Sequence, residues 1–338
     1  MGKTKSDKRD IYYRKAKELG FRARSAFKLM ECDATYNLFE GVETAVDLCA
    51  APGSWSQVLS KLMKPHRDAD EAEFLKAQEG GFLLPNGSVE TASGEIIWRR
   101  NRVVSIDIQP MSAIPGVHII QGDLTRQETI EAIIDALGGQ QAGIVVCDGA
   151  PDVTGFHGYD EMMQSQLIYP AFMTAMSVLK PGGHFVSKIF RAQWVNFTVI
   201  TFMQFFEEVY CYKPSSSRPD STEHFLVCKN YRPIPGLEPV LQNPRLAVNY
   251  KETIASFTPV QRKYICLLAN NDLDGWDAET LKKYGLERFI PQSPRKHHAL
   301  NTKIDKDIHE LVNEGYGQIS YEELAKKLQG TTLKTIED

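Results

Sequence analysis

Short apolar runs alternate along the chain with segments whose apolar residues recur every three or four positions. The first run, residues 44–48, is followed by a Pro-Gly turn and then by helical spacing over residues 55–63. Further strands are predicted at residues 102–106, 117–121, 143–147, 183–189, 209–213 and 225–228. Helices are predicted between most of them, at residues 129–137, 161–179 and 194–207. This alternation indicates an α/β fold with a doubly wound, mostly parallel sheet of seven strands.

The last two predicted strands have no helix between them. Because only a crossover connection can join parallel neighbours, residues 209–213 and 225–228 are expected to pair antiparallel. The sheet is therefore expected to have an antiparallel last strand.

The segments outside the sheet divide the chain further. Two short helices, residues 10–19 and 23–30, precede the sheet and belong to a first domain of residues 1–232. Within that domain, residues 64–101 are rich in acids and glycine and predict a long, mobile inserted loop. The proline-rich residues 233–252 predict a linker or surface strap, and residues 253–338 predict a small, mostly helical extension.

Composition narrows the class of protein. The chain has 338 residues, of which 42% are hydrophobic and 24% charged, enough to bury a substantial core. No secretory signal and no run of about 18 apolar residues is found, so we expect a cytoplasmic protein without a membrane partner. The six cysteines show no Cys-x-x-Cys spacing, so neither a metal site nor a disulfide framework is expected.

Positive charge is concentrated at the N-terminus although the net charge is −4. Residues 1–28 carry ten lysines and arginines against three acids, with aromatic residues between them. Such an arm could neutralise RNA phosphates and stack bases, or it could be a solvated basic terminus. The candidate RNA contacts are Arg14, Lys17, Arg22 and Arg24, together with a second basic stretch at residues 295–298.

The turn after the first strand is a candidate cofactor loop formed by Asp47, Gly53, Ser54 and Trp55. It lacks the Gly-x-Gly-x-x-Gly spacing that admits a pyrophosphate, which disfavours a nicotinamide-dependent oxidoreductase. One glycine and an acid suit a ligand with an amino group or a cationic centre, such as S-adenosylmethionine (SAM). An ordinary strand-to-helix turn is the alternative.

Polar residues end the other predicted strands on the same edge of the sheet. Asp107 is expected to accept hydrogen bonds from a ribose diol, and Asp123 from an adenine amine, unless Asp123 caps the next helix. Asp148 and Lys188 follow on neighbouring strands, and Asp148 is also a candidate contact for the cofactor. Lys188 is a candidate base or oxyanion stabiliser, with a simple ion pair to Asp148 as the alternative.

Five motifs together resemble the FtsJ/RrmJ family of SAM-dependent ribose 2′-O-methyltransferases, over roughly residues 7–232. They are the basic opening 13–29, the loop 47–55, Asp148-Gly149-Ala150-Pro151, Lys188-Ile189-Phe190 and Thr222-Glu223. The resemblance implies a Rossmann-like methyltransferase fold and SAM as cofactor. It also implies a catalytic tetrad at Lys28, Asp148, Lys188 and Glu223. Charge from Lys28 would push Lys188 towards neutrality, whereas Asp148 and Glu223 would keep it charged.

Within the family, residues 148–157 with Asp160 and Glu161 resemble the eukaryotic tRNA branch. That branch methylates the anticodon loop at nucleotide 32, at the wobble nucleotide 34 or at both, with auxiliary subunits that select the nucleotide. A ribosomal or other RNA substrate stays open as an alternative.

Other classes fit the sequence less well. A nitrogen-directed nucleic-acid methyltransferase would need Pro-Pro and an aromatic residue after the acid, where this chain has Gly149-Ala150-Pro151. Cys147, on a buried strand, is a poor thiolate for a cytosine-carbon methyltransferase. A catalytically silent RNA-binding subunit would have no need of all four tetrad residues.

Overall fold

The computed structural model of the chain describes residues 11–83, 89–97, 102–151, 157–191, 195–218 and 221–269. Most of the predicted C-terminal extension, the basic stretch at 295–298 and motif residues 152–156 lie outside the described residues.

The strands are, in chain order, β1 Ala45–Leu48, β2 Phe82–Leu83, β3 Val89–Glu90, β4 Ile96–Ile97, β5 Val103–Asp107, β6 His118–Gln121, β7 Ala142–Cys147, β8 Leu179–Phe190, β9 Phe206–Tyr212 and β10 Glu223–Tyr231. The helices are α1 Ile11–Glu18, α2 Ala26–Tyr36, α3 Ser54–Leu62, α4 Lys64–Gly80, α5 Gln127–Ala136, α6 His157–Val178, α7 Val195–Phe202, α8 Tyr250–Ala255 and α9 Pro259–Ala269, with a short 3-10 helix at Pro244–Leu246.

Seven strands form the central sheet in the order β6-β5-β1-β7-β8-β10-β9. Strands β6, β5, β1, β7 and β8 pair in parallel, and β10 pairs antiparallel with both β8 and β9. The predicted Rossmann-like sheet with an antiparallel last strand is confirmed. The last strand in the sequence, β10, lies inside the sheet, and β9 forms its edge.

Helix boundaries differ from the sequence prediction at two places. The helix predicted over 194–207 ends at Phe202, because Phe205 and Phe206 enter the core and Phe206 starts β9 opposite Tyr231. The helix predicted over 23–30 continues to Tyr36 and ends at Asn37, which has a left-handed backbone with φ of 51°. Tertiary packing decides where α7 stops, whereas α2 stops at a local cap, because asparagine tolerates the left-handed conformation.

The segment 64–101 is not one long loop, so that prediction was wrong. Helix α4 begins directly after α3, and β2, β3 and β4 form a separate antiparallel sheet. The acids that suggested a loop alternate in α4 with alanine, lysine and glutamine, all strong helix formers. The mobility of this insertion stays a prediction.

The segment after β10 packs on the main domain. Tyr169 of α6 donates its hydroxyl to the carbonyl of Val240 over 2.7 Å, as expected of a surface strap. Leu237, Phe257, Ile265 and Leu268 belong to the same buried cluster as the sheet. The division into a domain, a linker and an extension stays a prediction.

Two apolar layers cover the faces of the sheet. One contains α6, where Phe172 contacts the rings of Phe202 and Phe205 at 4.7 and 5.0 Å between centroids. The other contains α2 and α3, where the Trp55 ring lies 5.5 Å from that of Phe225. Among the described residues, no helix has both the length and the apolar character needed to cross a bilayer.

Replacing Phe172 by alanine is expected to lower the free energy of unfolding by about 3–5 kcal/mol, because the ring is fully buried and its loss leaves a cavity. Phe82→Ala is the matched control: this ring is 78% exposed, so a change within about 0.5 kcal/mol is expected. Urea unfolding measures both. Equal effects of the two changes would contradict the assigned core.

Candidate active site

The loop between β1 and α3 has a backbone that requires glycine at one position. Gly53 has φ of 106°, and a Cβ there would lie 2.6 Å from the Cδ1 atom of Ile114. The amide of Ala51 donates to Oδ2 of Asp107 over 2.8 Å. The loop is thereby held against the end of β5, as expected of a ligand-binding edge.

Asp47 lies fully buried beneath this loop. The Ser56 hydroxyl donates to its Oδ2 atom over 2.6 Å, and Oδ1 has no hydrogen-bond partner among the described residues. Burial raises the pKa of Asp47 to about 8, and the charges of Asp148 and Asp107 add to the rise, whereas the Ser56 hydrogen bond opposes it. Asp47 is therefore largely a neutral acid at pH 7.

The other two loop residues predicted to bind the cofactor, Ser54 and Trp55, have buried side chains. The Ser54 hydroxyl pairs with that of Ser25, and the Trp55 indole donates to the Ser25 carbonyl. Trp55 can therefore contact the cofactor only through its backbone atoms.

Asp107 and Asp123 lie at the carboxyl ends of the next two strands of the sheet, β5 and β6. Asp107 ends β5 and accepts one backbone amide on each carboxylate oxygen, from Ala51 and Gln109, which leaves lone pairs for a diol. Asp123 accepts from the amide and hydroxyl of Thr125, both at 2.8 Å. Asp123 therefore stabilises a turn and does not cap α5, whose N-cap residue is Arg126.

The structure brings the four predicted tetrad residues into one cluster. Lys188 Nζ lies 2.7 Å from Asp148 Oδ1 and 3.7 Å from Glu223 Oε2, and it donates to the Asp148 carbonyl over 2.8 Å. Lys28 Nζ lies 2.6 Å from Glu223 Oε1. The four side chains come from α2, the end of β7, β8 and the first residue of β10.

Opposite charges favour the ionised forms of Lys188 and Glu223. Burial by itself would lower the pKa of Lys188, but the charges of Asp148 and Glu223 outweigh it and raise that pKa. Burial would likewise raise the pKa of Glu223, but Lys28 and Lys188 together hold it below its ordinary value. The carboxylates therefore decide the charge of Lys188, which is an ammonium at neutral pH.

A comparison with protein families decides the class. The sequence profile of the FtsJ-like methyltransferases matches residues 21–231. The chain belongs to the FtsJ-like methyltransferase family.

Curated relatives of this FtsJ-like methyltransferase cover most of its length. A human protein named tRNA (cytidine(32)/guanosine(34)-2′-O)-methyltransferase is 44% identical over 287 residues, which is 85% of this chain and 78% of that protein. A Schizosaccharomyces pombe protein of the same name is 42% identical over 316 residues, 90% of this chain and 99% of the relative. The ribosomal RNA large subunit methyltransferase E of Methanosarcina acetivorans is 33% identical, with 68% of this chain and 71% of that protein covered.

The methyl donor of this FtsJ-like methyltransferase is SAM, and the residues at the sheet edge fit it. A Cβ at Gly53 would lie 2.6 Å from Ile114 Cδ1, and a Cβ at Gly149 would lie 2.9 Å from Cys49 Cβ. Neither position has room for a side chain, so both loops expose only their backbone to a ligand there. Asp107 has lone pairs left for a ribose diol, whereas Asp47 is buried beneath the loop and Asp148 Oδ1 lies 2.7 Å from Lys188 Nζ. Contacts of these three residues with SAM stay predictions. SAM would supply an electrophilic methyl group at this edge.

Other residues of the site were missed by sequence reasoning. Gln164 of α6 is buried and donates its amide to the carbonyls of Gly149 and Lys188, at 3.0 and 2.9 Å. Ser217 donates to Glu223 Oε1 over 2.9 Å. Glu31, fully buried in α2, accepts from the amides of Ser215 and Ser216 and holds the loop that precedes β10. No local pattern marks them, because their partners are distant in sequence or lie in an irregular loop.

The four candidate RNA contacts divide into two pairs. Arg14 and Lys17 are exposed on α1. The guanidinium of Arg22 donates to the carbonyls of Pro52 and Ala113, and that of Arg24 donates to the Ser216 carbonyl. Arg22 and Arg24 thus have donors engaged within the fold, and RNA contact stays a prediction for all four.

The buried acid of this FtsJ-like methyltransferase predicts a pH-dependent stability. Because the pKa of Asp47 is raised to about 8, the folded protein keeps a proton that the unfolded chain releases above about pH 4. The free energy of unfolding is therefore expected to fall between about pH 5 and pH 8, by at most about 1.4 kcal/mol per pH unit from this group.

Asp47→Asn removes the titrating group and is expected to flatten that decline, as urea unfolding at several pH values would show. Asp135→Asn, at an exposed position of α5, is the control and leaves the slope as it is. An Asp47→Asn slope equal to that of the wild type would disprove the assignment.

Proposed function

We propose that this protein transfers a methyl group from SAM to the ribose 2′-hydroxyl of tRNA, in the anticodon loop at nucleotide 32, nucleotide 34 or both. The observation that carries the proposal is the chain of contacts Lys28–Glu223–Lys188–Asp148 beside the cofactor edge. The names of the human and fission-yeast relatives support the substrate.

The chemistry needs the attacking hydroxyl to be activated, either by a base or by a cation next to its oxygen. The 2′-oxygen forms a bond to the methyl carbon, the carbon–sulfur bond breaks, and the hydroxyl proton is released to solvent. Lys188 Nζ donates to the carbonyl of Asp148 over 2.8 Å and forms an ion pair with its Oδ1 atom at 2.7 Å. Glu223 Oε2 lies farther from Nζ, at 3.7 Å, and the proposal places the ribose oxygen on this side of the ammonium, which has three N–H donors in all.

The charge state of Lys188 selects between its two candidate roles. An ammonium cannot accept a proton, but it stabilises the negative charge that develops on the 2′-oxygen. Because its neighbours raise the pKa of Lys188, the proposal assigns it to oxyanion stabilisation. Glu223 orients both ammonium groups, and Ser217 fixes Glu223.

The substrate assignment favours tRNA over ribosomal RNA. Relatives named as tRNA enzymes are 42–44% identical to this chain, against 33% for the ribosomal RNA enzyme. Arg14 and Lys17 on the exposed face of α1 are proposed phosphate contacts. Auxiliary protein subunits that select the nucleotide, and a cytoplasmic location, belong to the same proposal. The silent-subunit alternative is disfavoured, because the charged cluster is complete.

Incubation of the purified protein with labelled SAM and unmodified tRNA transcripts is expected to methylate anticodon-loop riboses, mapped by nuclease digestion and mass spectrometry. Lys188→Ala is expected to lower the rate by about 10²-fold or more, because the oxyanion loses its cation. SAM binding, measured by calorimetry, is expected to persist.

Lys180→Ala is the matched control for Lys188→Ala, because Lys180 lies at the other end of β8 and takes no part in the cluster. Near-wild-type methylation by Lys188→Ala would rule out its assigned role. Methylation of ribosomal RNA fragments in preference to tRNA would show that the proposed substrate is wrong.

Glu223→Gln is expected to shift the pH dependence of the rate. Removing this carboxylate takes away a charge that favours the ammonium form, so the pKa of Lys188 falls. The limb of the pH–rate profile that reports Lys188 therefore moves to lower pH. A falling limb identifies Lys188 as the ammonium donor, whereas a rising limb would identify it as a base. A profile that does not move would show that the charge of Glu223 has no effect on the pKa of Lys188.

A further inference from the structure

The turn between α1 and α2 carries an arginine that joins two loops of the sheet edge. Arg22 donates from Nη1 to the carbonyl of Pro52 over 2.8 Å and from Nη2 to the carbonyl of Ala113 over 2.9 Å. Pro52 lies in the loop after β1, and Ala113 lies in the loop after β5. One guanidinium therefore bridges two segments that are separate in the sequence.

The same turn is attached to α3 by further hydrogen bonds. The Arg22 amide donates to Gln57 Oε1 over 2.8 Å, and Gln57 Nε2 returns a bond to the Gly20 carbonyl over 2.9 Å. The Trp55 indole donates to the Ser25 carbonyl over 2.7 Å. These contacts fix the backbone of Arg22, so that its guanidinium is presented to the two carbonyls at a set position.

The two bridged loops approach each other closely at Gly53, which follows Pro52 in the first of them. A Cβ on Gly53 would lie 2.6 Å from Ile114 Cδ1 and 2.9 Å from Arg22 Nη1. Ile114 follows Ala113 directly, so the residue next to the Arg22 bond is also the one that contacts the glycine loop. In the same loop, the Ala51 amide donates to the carboxylate of Asp107. The loop after β1 is thus held by two side chains, Asp107 and Arg22.

We propose that Arg22 is a positioning residue for the SAM site, which holds the loops after β1 and β5 at a fixed separation, and that it does not contact RNA phosphate. The inference rests on the proposed placement of SAM at this edge. A planar guanidinium can donate in two fixed directions at once, whereas the single ammonium of a lysine cannot reproduce that fork. The geometry therefore distinguishes Arg22 from the exposed cations of α1.

Calorimetric titration of the full-length protein with S-adenosylhomocysteine, the demethylated product, tests the proposal without tRNA. Arg22→Gln is expected to raise the Kd for this probe by about tenfold or more, because both charged hydrogen bonds are lost. Arg22→Lys is expected to give an intermediate Kd, since one carbonyl can still be reached. With tRNA, the KM for SAM is expected to rise while kcat at saturating SAM stays near the wild-type value.

Arg14→Gln is the control, an exposed arginine on the same basic arm. It is expected to leave the Kd for S-adenosylhomocysteine unchanged and to weaken tRNA binding with a lower salt slope. The reverse pattern for Arg22→Gln, with S-adenosylhomocysteine bound within about twofold of the wild type and a salt slope for tRNA lowered by about one, would overturn the proposal.

Arg22→Lys keeps the charge and guards against a folding defect in Arg22→Gln. If Arg22→Lys unfolds at the wild-type temperature and binds S-adenosylhomocysteine as tightly as the wild type, the fork has no positioning role and the inference fails. Because the binding experiment uses no tRNA, a failure of the proposed tRNA methylation would leave its outcome unaffected.

Discussion

The buried Lys188 and the half-buried Lys28 can share one cluster with two carboxylates only because each cation lies against an anion. Removing a charge from water costs several kcal/mol, and that cost is offset here by close pairing of Lys28 with Glu223 and of Lys188 with Asp148. The arrangement also ties together parts of the chain that are far apart, since Lys28 and Glu223 are 195 residues apart. The positions of α2, β7, β8 and β10 are therefore linked through the same four side chains that the proposed chemistry uses.

Around this cluster, buried polar side chains restrain the backbone near the four charged residues. The Gln164 amide donates to the carbonyls of Gly149 and Lys188, and Glu31 accepts hydrogen bonds from the loop before β10. Neither side chain is one of the four charged residues of the cluster. Each nevertheless holds a segment that carries one of them: Gln164 the segments of Asp148 and Lys188, and Glu31 the loop that precedes Glu223. A displacement of one ångström at such a segment would separate an ammonium from its carboxylate, which is why these polar groups are buried and hydrogen-bonded.

The sequence was sufficient for the sheet and for the cluster, and insufficient elsewhere, for definable reasons. Alternating apolar runs found all seven central strands, and the order of Asp148, Lys188 and Glu223 along the chain matched a family pattern. Composition predicts a loop over residues 64–101 because the segment is rich in acids and glycine, but the glutamates, alanines and lysines of α4 are strong helix formers. The end of α7 was missed because Phe205 and Phe206 satisfy helical spacing but are buried in the core. The two bonds of Arg22 are long-range, and a basic arm gives no local sign of them.

The direction of one strand decides whether this site exists at all. Parallel strands deliver their last residues to the binding edge, and β8 brings Lys188 there as it ends at Phe190. Strand β10 runs the opposite way, so it is its first residue, Glu223, that arrives at the same edge, opposite Phe190. With nine residues in β10, a reversed strand would place Glu223 at the far end of the sheet, about 30 Å away. The charged cluster is in this sense a product of chain topology, and it is completed only by the last strand of the sheet to be synthesised.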